Sequence, residues 1–432
     1  CIPTGGEGGG GIWYDGGNDT ARADMVLTIQ GSTIDNNTSG KGGGGIYTQV
    51  KTVTIGNYTD AAGNTVQSSL SNNTALDGNG GGLNYPKDLE GSSLTITGTE
   101  INDNTVATSN TSSNGKGGGV YTKARTVTIQ GETEISGNTA ARNGGGICDD
   151  NSNYADSSLI IDSTSVTGNS CGNMGGGVYC EAQLTLRNGT EITGNRLTTN
   201  TAANCAGVYL INNRTLYVGP ENAEAAFTDA IYVRNNTTAN GTLSDLRLWD
   251  NGSQNNASSV YVYRNLSNDS EIRVVNAAKV GTQFGNAAID YPNGFSDDNA
   301  VFKADDSTLH GIVDRSDPEK KKIIWAGEPI AKLTDADGNL LYIKYTDDGV
   351  TYPAIFDRLD TGNNSAGSTV GAFSILRMDD LQLYYKGEDN AGTAYTGTDY
   401  CVKMLVESFE TSADITLLYV EGRTVTDRKS VV

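Results

Sequence analysis

The chain has 432 residues, with 30 Lys and Arg against 51 Asp and Glu and a single histidine, for a net charge of −21. Leu, Ile, Val and Phe together supply only 87 residues, 20% of the sequence, which is the border of disorder for so charged a chain. These figures exclude a nucleic-acid partner, since no basic stripe offsets the acidity, and every zinc motif that needs two histidines.

No run of about 18 apolar residues is present, so no transmembrane segment is expected in this stretch. The chain starts at Cys1 with no Met or signal peptide before it, and residues 427–432 read as the translation of a sequencing adapter. The expectation is therefore a fragment of a larger protein, with 427–432 non-native and a lipid-modified Cys1 as the minor alternative.

From residue 9 onward an internal repeat dominates. Gly-Gly-Gly followed by Ile, Leu or Val begins at Gly9, Gly43, Gly80, Gly117, Gly144 and Gly175, with a worn copy at Cys205-Ala206-Gly207-Val208. The spacings are 34, 37, 37, 27, 31 and 30 residues. A second motif accompanies the first and ends on Asn37, Asn73, Asn104, Asn138, Asn169 and Asn195, preceded in most copies by a short apolar strand such as LTITG or VTIQG. Alternation of apolar and polar residues marks strands with one buried face. Three such strands per unit cannot bury that face alone, whereas stacked units pair each strand in parallel with its copy. The asparagines then form a column that satisfies turn backbone, and the glycines serve positive φ or close approach between coils. The pattern predicts an all-β, right-handed parallel β-helix over residues 1–305, the hand following the usual crossover rule. Its buried column is Ile12, Ile46, Leu83, Val120, Ile147, Val178 and Val208.

The pairing of Asn-x-Ala with Gly-Gly-Gly-Ile-Tyr resembles the repeats of cell-surface right-handed β-helix proteins: adhesin-like proteins of gut bacteria and archaea, and polymorphic outer-membrane proteins of intracellular pathogens. Asn73-Thr74-Ala75 with Gly80–Leu83 and Asn138-Thr139-Ala140 with Gly144–Ile147 carry the likeness, which covers about residues 9 to 210. The outer-membrane group carries an aromatic before the asparagine; here Asp, Ser or Gly stands nearby, which favours the looser adhesin-like group. The resemblance implies a secreted or cell-surface rod with a glycan or surface-protein partner.

After Val208 the motifs decay into short alternating strands, TLYVG, AIYVRN, LRLWDN, SVYVYRN and EIRVVN, that read as coils tapering to a cap near 305. Residues 306–327 read as cap and linker, with Lys320–Lys322 a solvated charge cluster. Residues 328–426 read as a β-rich C-terminal domain, with a hairpin turned at Asp337-Gly338 and a segment at 401–420 that opens a further repeat region. Asp335-Ala336-Asp337-Gly338-Asn339 starts like a calcium loop, but its glycine is at the fourth place and Thr346 holds the twelfth, so a turn is the better reading. No cofactor and no metal site is expected.

Aligned on the glycines, Asp15, Gln49, Pro86, Lys123, Asp150, Glu181 and Ile211 share a column. Coils lie about 4.8 Å apart, which makes Asp150 and Glu181 the only acid/base candidates; their plainer reading is as turn carboxylates offset by Lys123. A polysaccharide lyase or glycoside hydrolase of the pectate-lyase-like fold is the competing class. Asp149-Asp150 suits it, but Gly-His-Gly and Arg-x-Lys partners are missing and His310 stands apart.

The residue after each inward Ile or Val points outward by strand parity. That column holds Trp13, Tyr47, Tyr121, Tyr179 and Tyr209, together with Asn84 and Cys148. It is either a contact strip for an extended ligand or a self-stacking ladder. At a net charge of −21 such a strip favours neutral glycans or basic protein patches. Cys171 and Cys205 fall in turns one unit apart and form the disulfide candidate, while Cys148 and Cys180 point to opposite faces.

Overall fold

The computed structural model describes residues 8–304 apart from 109–113, 212–213, 220–229, 248–258, 263–266, 268, 276–287 and 290–300, and beyond 304 the backbone of short strands between 309 and 404. Two compact units divide the chain, one holding 1–276 with 285–290 and 301–305, the other holding the remainder.

The first unit is a parallel β-helix. Each regular coil contributes to four ladders in which every strand pairs in parallel with its copy one coil on. The first ladder stacks Ile12–Tyr14, Ile46–Thr48, Leu83–Tyr85, Val120–Thr122, Ile147–Asp149, Val178–Cys180, Val208–Leu210 and Leu246–Arg247. The second runs from Val26–Gln30 through Thr52–Gly56, Ser93–Thr97, Thr126–Gln130, Ser158–Asp162, Gln183–Arg187 and Thr215–Val218 to Ser259–Val262 and Ala288–Ile289. The third holds Glu100–Asn102, Glu134–Ser136, Ser165–Thr167, Glu191–Thr193, Tyr232–Arg234, Glu271–Val274 and Phe302–Ala304. A fourth, of two-residue strands from Thr38–Ser39 to Arg196–Leu197, arises from the Asn-Thr-Ala segment, where the sequence pattern shows only a turn.

Alternation decides what is inside. Leu94, Ile96, Val127, Ile129, Leu159, Ile161, Leu184 and Leu186 are fully buried, and the column Ile46, Leu83, Val120, Ile147, Val178 and Val208 has no exposed surface. Ile12 continues that column but is only half-buried, since it belongs to the first described coil. Burying one such aliphatic side chain contributes about 2 kcal/mol, so a modest apolar fraction suffices when every inward place is filled.

The asparagine column is a continuous hydrogen-bonded ladder. The side-chain Nδ2 of Asn37, Asn73, Asn104, Asn138 and Asn169 each donates to Oδ1 of the asparagine one coil on, at 2.9–3.0 Å. The backbone N–H of each rung donates to the same oxygen. A second Nδ2 bond, from Asn73 onward, reaches an inward-strand carbonyl such as Ile101 O. The ladder extends past the regular repeat to Asn195 and Asn236 and ends on a carboxylate, Asp245, whose Oδ1 accepts from both the backbone and side-chain N–H of Asn236 at 2.7 Å.

The glycine runs are explained by two constraints. The first glycine sits at positive φ, for example Gly117 at 68° and Gly144 at 63°. The second allows no side chain, because a Cβ on Gly118 would fall on the carbonyl oxygen of Gly145 in the next coil.

Toward its end the helix narrows. The fourth ladder ends at Arg196–Leu197, and Glu271–Val274 pairs with both Tyr232–Val233 and Leu246, so the first and third ladders merge.

The second unit pairs its strands antiparallel: Leu309–Val313 with Ile323–Gly327, Ala331–Asp335 with Ile355–Phe356 and Tyr400–Met404, and Tyr342–Lys344 with Thr351–Pro353 and Leu383–Tyr385. The hairpin expected at Asp337-Gly338 is therefore corrected: the strands on either side of it pair with other partners in different sheets. The calcium-like loop, the lysine run at 320–322 and residues 405–432 lie outside the described residues.

Candidate functional site

The outward column of the first ladder has the expected register: Trp13 pairs with Tyr47, Tyr47 with Asn84, Asn84 with Tyr121, Tyr121 with Cys148, Cys148 with Tyr179 and Tyr179 with Tyr209. Its exposure is different. Tyr47 and Tyr121 are 3% exposed, Tyr209 6% and Tyr179 8%, while Trp13 alone stands open at 56%. The expectation of an accessible strip at Tyr47, Tyr121, Tyr179 and Tyr209 is thus corrected.

Strand parity fixes direction but not cover, and here the glycine-rich return segment covers the rings. The first glycine of each run lies over the column residue four places on, close enough that a Cβ on Gly117 would sit 2.7 Å from Tyr121 Cβ. Tyr121, Cys148, Tyr179, Cys205 and Tyr209 pack into a second apolar layer outside the sheet, with Tyr179 and Tyr209 stacked at 5.6 Å and 15°. Burial raises the hydroxyl pKa of Tyr121, Tyr179 and Tyr209 above the ordinary phenol value.

The carboxylate column is bound up with these rings. Tyr121 OH donates to Asp150 Oδ2 at 2.8 Å, with Lys123 Nζ 3.7 Å from the same oxygen, and Asp150 Oδ1 takes Lys116 Nζ at 2.6 Å. Tyr179 OH donates to Glu181 Oε1 at 2.7 Å. Gln49, in the same column, bonds the Tyr47 hydroxyl, and Arg247 lies over the Tyr209 ring at 5.3 Å. At the head of the column Asp15 pairs with Arg22. Asp150 and Glu181 therefore hold phenols in place, and Asp150 is neutralised by two ammonium groups.

Asp149 and Asp150, adjacent in sequence, are separated by the sheet. Asp149 pairs with Thr122 and Cys180 in an inward column and is fully buried. Its Oδ1 accepts the Asn151 N–H at 3.2 Å, and its Oδ2 and the Asn151 Oδ1 have no hydrogen-bond partner. Burial holds the Asp149 carboxyl well above the ordinary range.

The disulfide expectation is corrected too. Cys148, Cys171, Cys180 and Cys205 are buried thiols outside any disulfide. Cys171 lies in the fourth ladder opposite Leu197 and packs with Ala140, Leu197 and Ala206, whereas Cys205 packs with the tyrosine layer. Burial pushes the Cys171 thiol up to about 12, which keeps it unreactive at neutral pH. Cys148 and Cys180 occupy outward and inward columns, as parity requires.

Two outward features were missed. Tyr217 and Tyr261 are paired across coils of the second ladder, half-buried, with rings 6.0 Å apart at 55°. On the third ladder Arg273 pairs with Lys303, and Arg234 follows Val233, which pairs with Ile272. Both were legible as repeated positions only once the register of the worn coils was known. No helix among the described residues is long and apolar enough to cross a membrane, and no group of three or more His, Cys, Asp or Glu among them is placed to hold a metal.

Residues 31–49 and 132–150 match the Chlamydia polymorphic membrane protein (Chlamydia_PMP) repeat. Each window spans one asparagine rung, Asn37 or Asn138, the glycine run after it and the following first-ladder strand. No curated protein and no solved structure matches the chain. The chain is a parallel β-helix repeat protein whose coils resemble polymorphic membrane protein repeats.

Proposed function

We propose that this chain is the rod of a secreted or cell-surface adhesin-like protein, with its interior given to structure and its outer sheet faces to contact with glycan or protein. The repeat match supports a surface setting, and the stacking of coils supports an extended, rigid display element.

The observation that carries the contact role is the outward face of the second ladder. Thr54, Thr95, Thr128, Ile160, Thr185, Tyr217 and Tyr261 lie in register on successive coils, and none is buried. The column up to Thr185 presents almost only hydroxyl groups, and the two tyrosines end it with ring surface. A neutral extended glycan suits such a face. Each stacked ring contributes on the order of 1 kcal/mol, so useful affinity comes from several contacts along the rod.

A glycan array tests this with three proteins: wild type, Tyr217→Ala/Tyr261→Ala and Tyr121→Ala/Tyr179→Ala. The second-ladder pair is expected to lose neutral-glycan binding with its melting temperature little changed. The first-ladder pair is expected to melt lower. Unchanged binding in Tyr217→Ala/Tyr261→Ala places the contact on another face.

A further inference from the structure

The third ladder changes sign along its length. Its outward residues in the regular coils are Glu100, Glu134, Ser165 and Glu191 in one column and the neutral Asn102, Ser136, Thr167 and Thr193 in the other. In the last three coils the neutral places become Arg234, Arg273 and Lys303, one per coil. Like charges directly opposite on neighbouring strands destabilise a sheet, and nothing in the packing of an outward column calls for them.

One carboxylate lies among the three cations. Glu271 accepts Arg273 Nε at 2.5 Å and Arg234 Nη1 at 3.1 Å, and Lys303 Nζ stands 3.9 Å away. Burial alone would raise the Glu271 pKa, but the hydrogen bonds from Arg273 and Arg234 hold it below the ordinary value, so the group is ionised. Among the described residues the three cations outnumber Glu271, which is the carboxylate ion-paired with them. Two further acids stand near: Glu191, one coil earlier beside Tyr232, and the buried Asp245, which feels the Arg273 charge. The cations are reachable from solvent, with side-chain exposures of 33% for Arg234, 22% for Arg273 and 43% for Lys303. The Tyr232 ring lies under the Arg234 guanidinium at 4.1 Å and holds its planar fork in one orientation.

We propose that Arg234, Arg273 and Lys303 form a binding site for the carboxylate or sulfate groups of an extended anionic polysaccharide running along the rod axis. The strip is one residue wide and offers one cation per coil, a repeat of about 4.8 Å, which suits a single polymer that carries charge at the regular advance of its sugar units. A duplex nucleic acid is broader and more densely charged, and the rest of the −21 chain repels it. A folded acidic protein presents a patch and not a line. Overall acidity does not forbid the site, because beyond a Debye length of about 8 Å the exposed carboxylates elsewhere are largely screened at physiological salt.

This site is on a different ladder from the neutral face argued above, and its test is independent of that reading. Full-length protein is titrated with polygalacturonate, dextran sulfate, neutral dextran and polyglutamate at low and physiological salt. Binding to the two anionic polysaccharides, weakened by salt, is expected, with none to neutral dextran. Arg273→Gln/Lys303→Gln is expected to lose affinity about tenfold or more, the loss of two charge-assisted contacts. Lys41→Gln/Lys87→Gln removes the same net charge at two residues of the regular coils, one exposed and one half-exposed, and is expected to keep wild-type affinity. Lys303→Glu, at the most exposed of the three positions, gives the same direction of effect if the double variant fails to fold. Equal losses in the control pair, preference for polyglutamate over polygalacturonate, or no binding to either anionic polysaccharide overturns the proposal.

Discussion

The regular coils up to about Leu197 and the worn coils after it use the same architecture and treat their outward residues in opposite ways. In the regular coils the repeat is kept because the fold consumes it: asparagines bond asparagines, glycines make room for rings, and Asp150 and Glu181 anchor phenols. In the worn coils Cys205 occupies the first glycine's place at a φ of 48°, Ala206 fills the second, and the asparagine column ends on Asp245. Outward places there carry Tyr217, Tyr261, Arg234, Arg273 and Lys303. Departure from a repeat is thus where side chains are released from structural duty. Residues that break the local rule are the ones to examine for function.

The strongest way to break this contrast is at the ladder. Asn138→Ala removes the two Nδ2 donations to Ile101 O and Asn169 Oδ1, and the acceptor for both Asn104 N–H groups. Ile101 O, the Asn104 backbone N–H and one Asn104 Nδ2 proton are left unpaired at about 1–3 kcal/mol each, for a loss of roughly 3–9 kcal/mol. Asn37→Ala, at the half-buried first rung, is expected to cost only about 1 kcal/mol, since Asn37 donates to Asn73 and Asp35. Urea denaturation followed by circular dichroism separates them; equal midpoints for the two variants would mean that the rungs do not act as a buried chain.

A smaller effect is expected at the glycines. Gly118→Ala places a methyl against the Gly145 carbonyl and the Thr139 backbone of neighbouring segments, neither of which can yield without shifting a coil. A cost of about 3 kcal/mol follows, as for other overpacked sites. The worn coil already has Ala206 at the equivalent place, so Ala206→Gly is expected to change stability by under about 1 kcal/mol. Thermal melts of the two variants give the comparison directly, and a Gly118→Ala melt equal to wild type would show that adjacent coils have slack.

Much of this was legible in the sequence. The inward column, the asparagine ladder and the parallel pairing follow from motif spacing and alternation, because a solenoid repeats one local solution. Parity also placed the tyrosines on the outer side. What it lacked was the return segment between the fourth and first ladders, whose glycines bring backbone over the rings; cover is a tertiary property that a period of two does not encode. Cys171 and Cys205 fall in turns one unit apart in the sequence, whereas the fourth ladder pairs Cys171 with Leu197 and Cys205, at the first glycine's place, packs in another layer. A basic stripe is not visible along the linear chain. Arg234, Arg273 and Lys303 are 39 and 30 residues apart and meet only through coil register. The arginines of AIYVRN and EIRVVN each follow an inward apolar residue, and that shared place was the available signal.

The smallest effect expected concerns the ladder's end in the worn coils. Asp245 accepts two N–H bonds from Asn236, which favour its charged form, but burial outweighs them and raises its carboxyl to about 6. Arg273 pulls in the charged direction and Glu271 against it. The unfolded chain releases this proton near pH 4, so the folded state binds it longer. The contribution is therefore favourable at low pH, declines as pH rises from about 4 through about 6, and is flat above. An asparagine keeps the acceptor oxygen that Asn236 needs and removes the buried charge. Asp245→Asn is expected to gain on the order of 1–2 kcal/mol at pH 8, less than the full linkage because the new Nδ2 must find an acceptor, and nothing at pH 3.5. Urea midpoints at the two pH values are the measurement. A gain of the same size at both would assign the effect to packing; no gain at pH 8 would mean that the carboxylate terminus suits the column as well as another asparagine would.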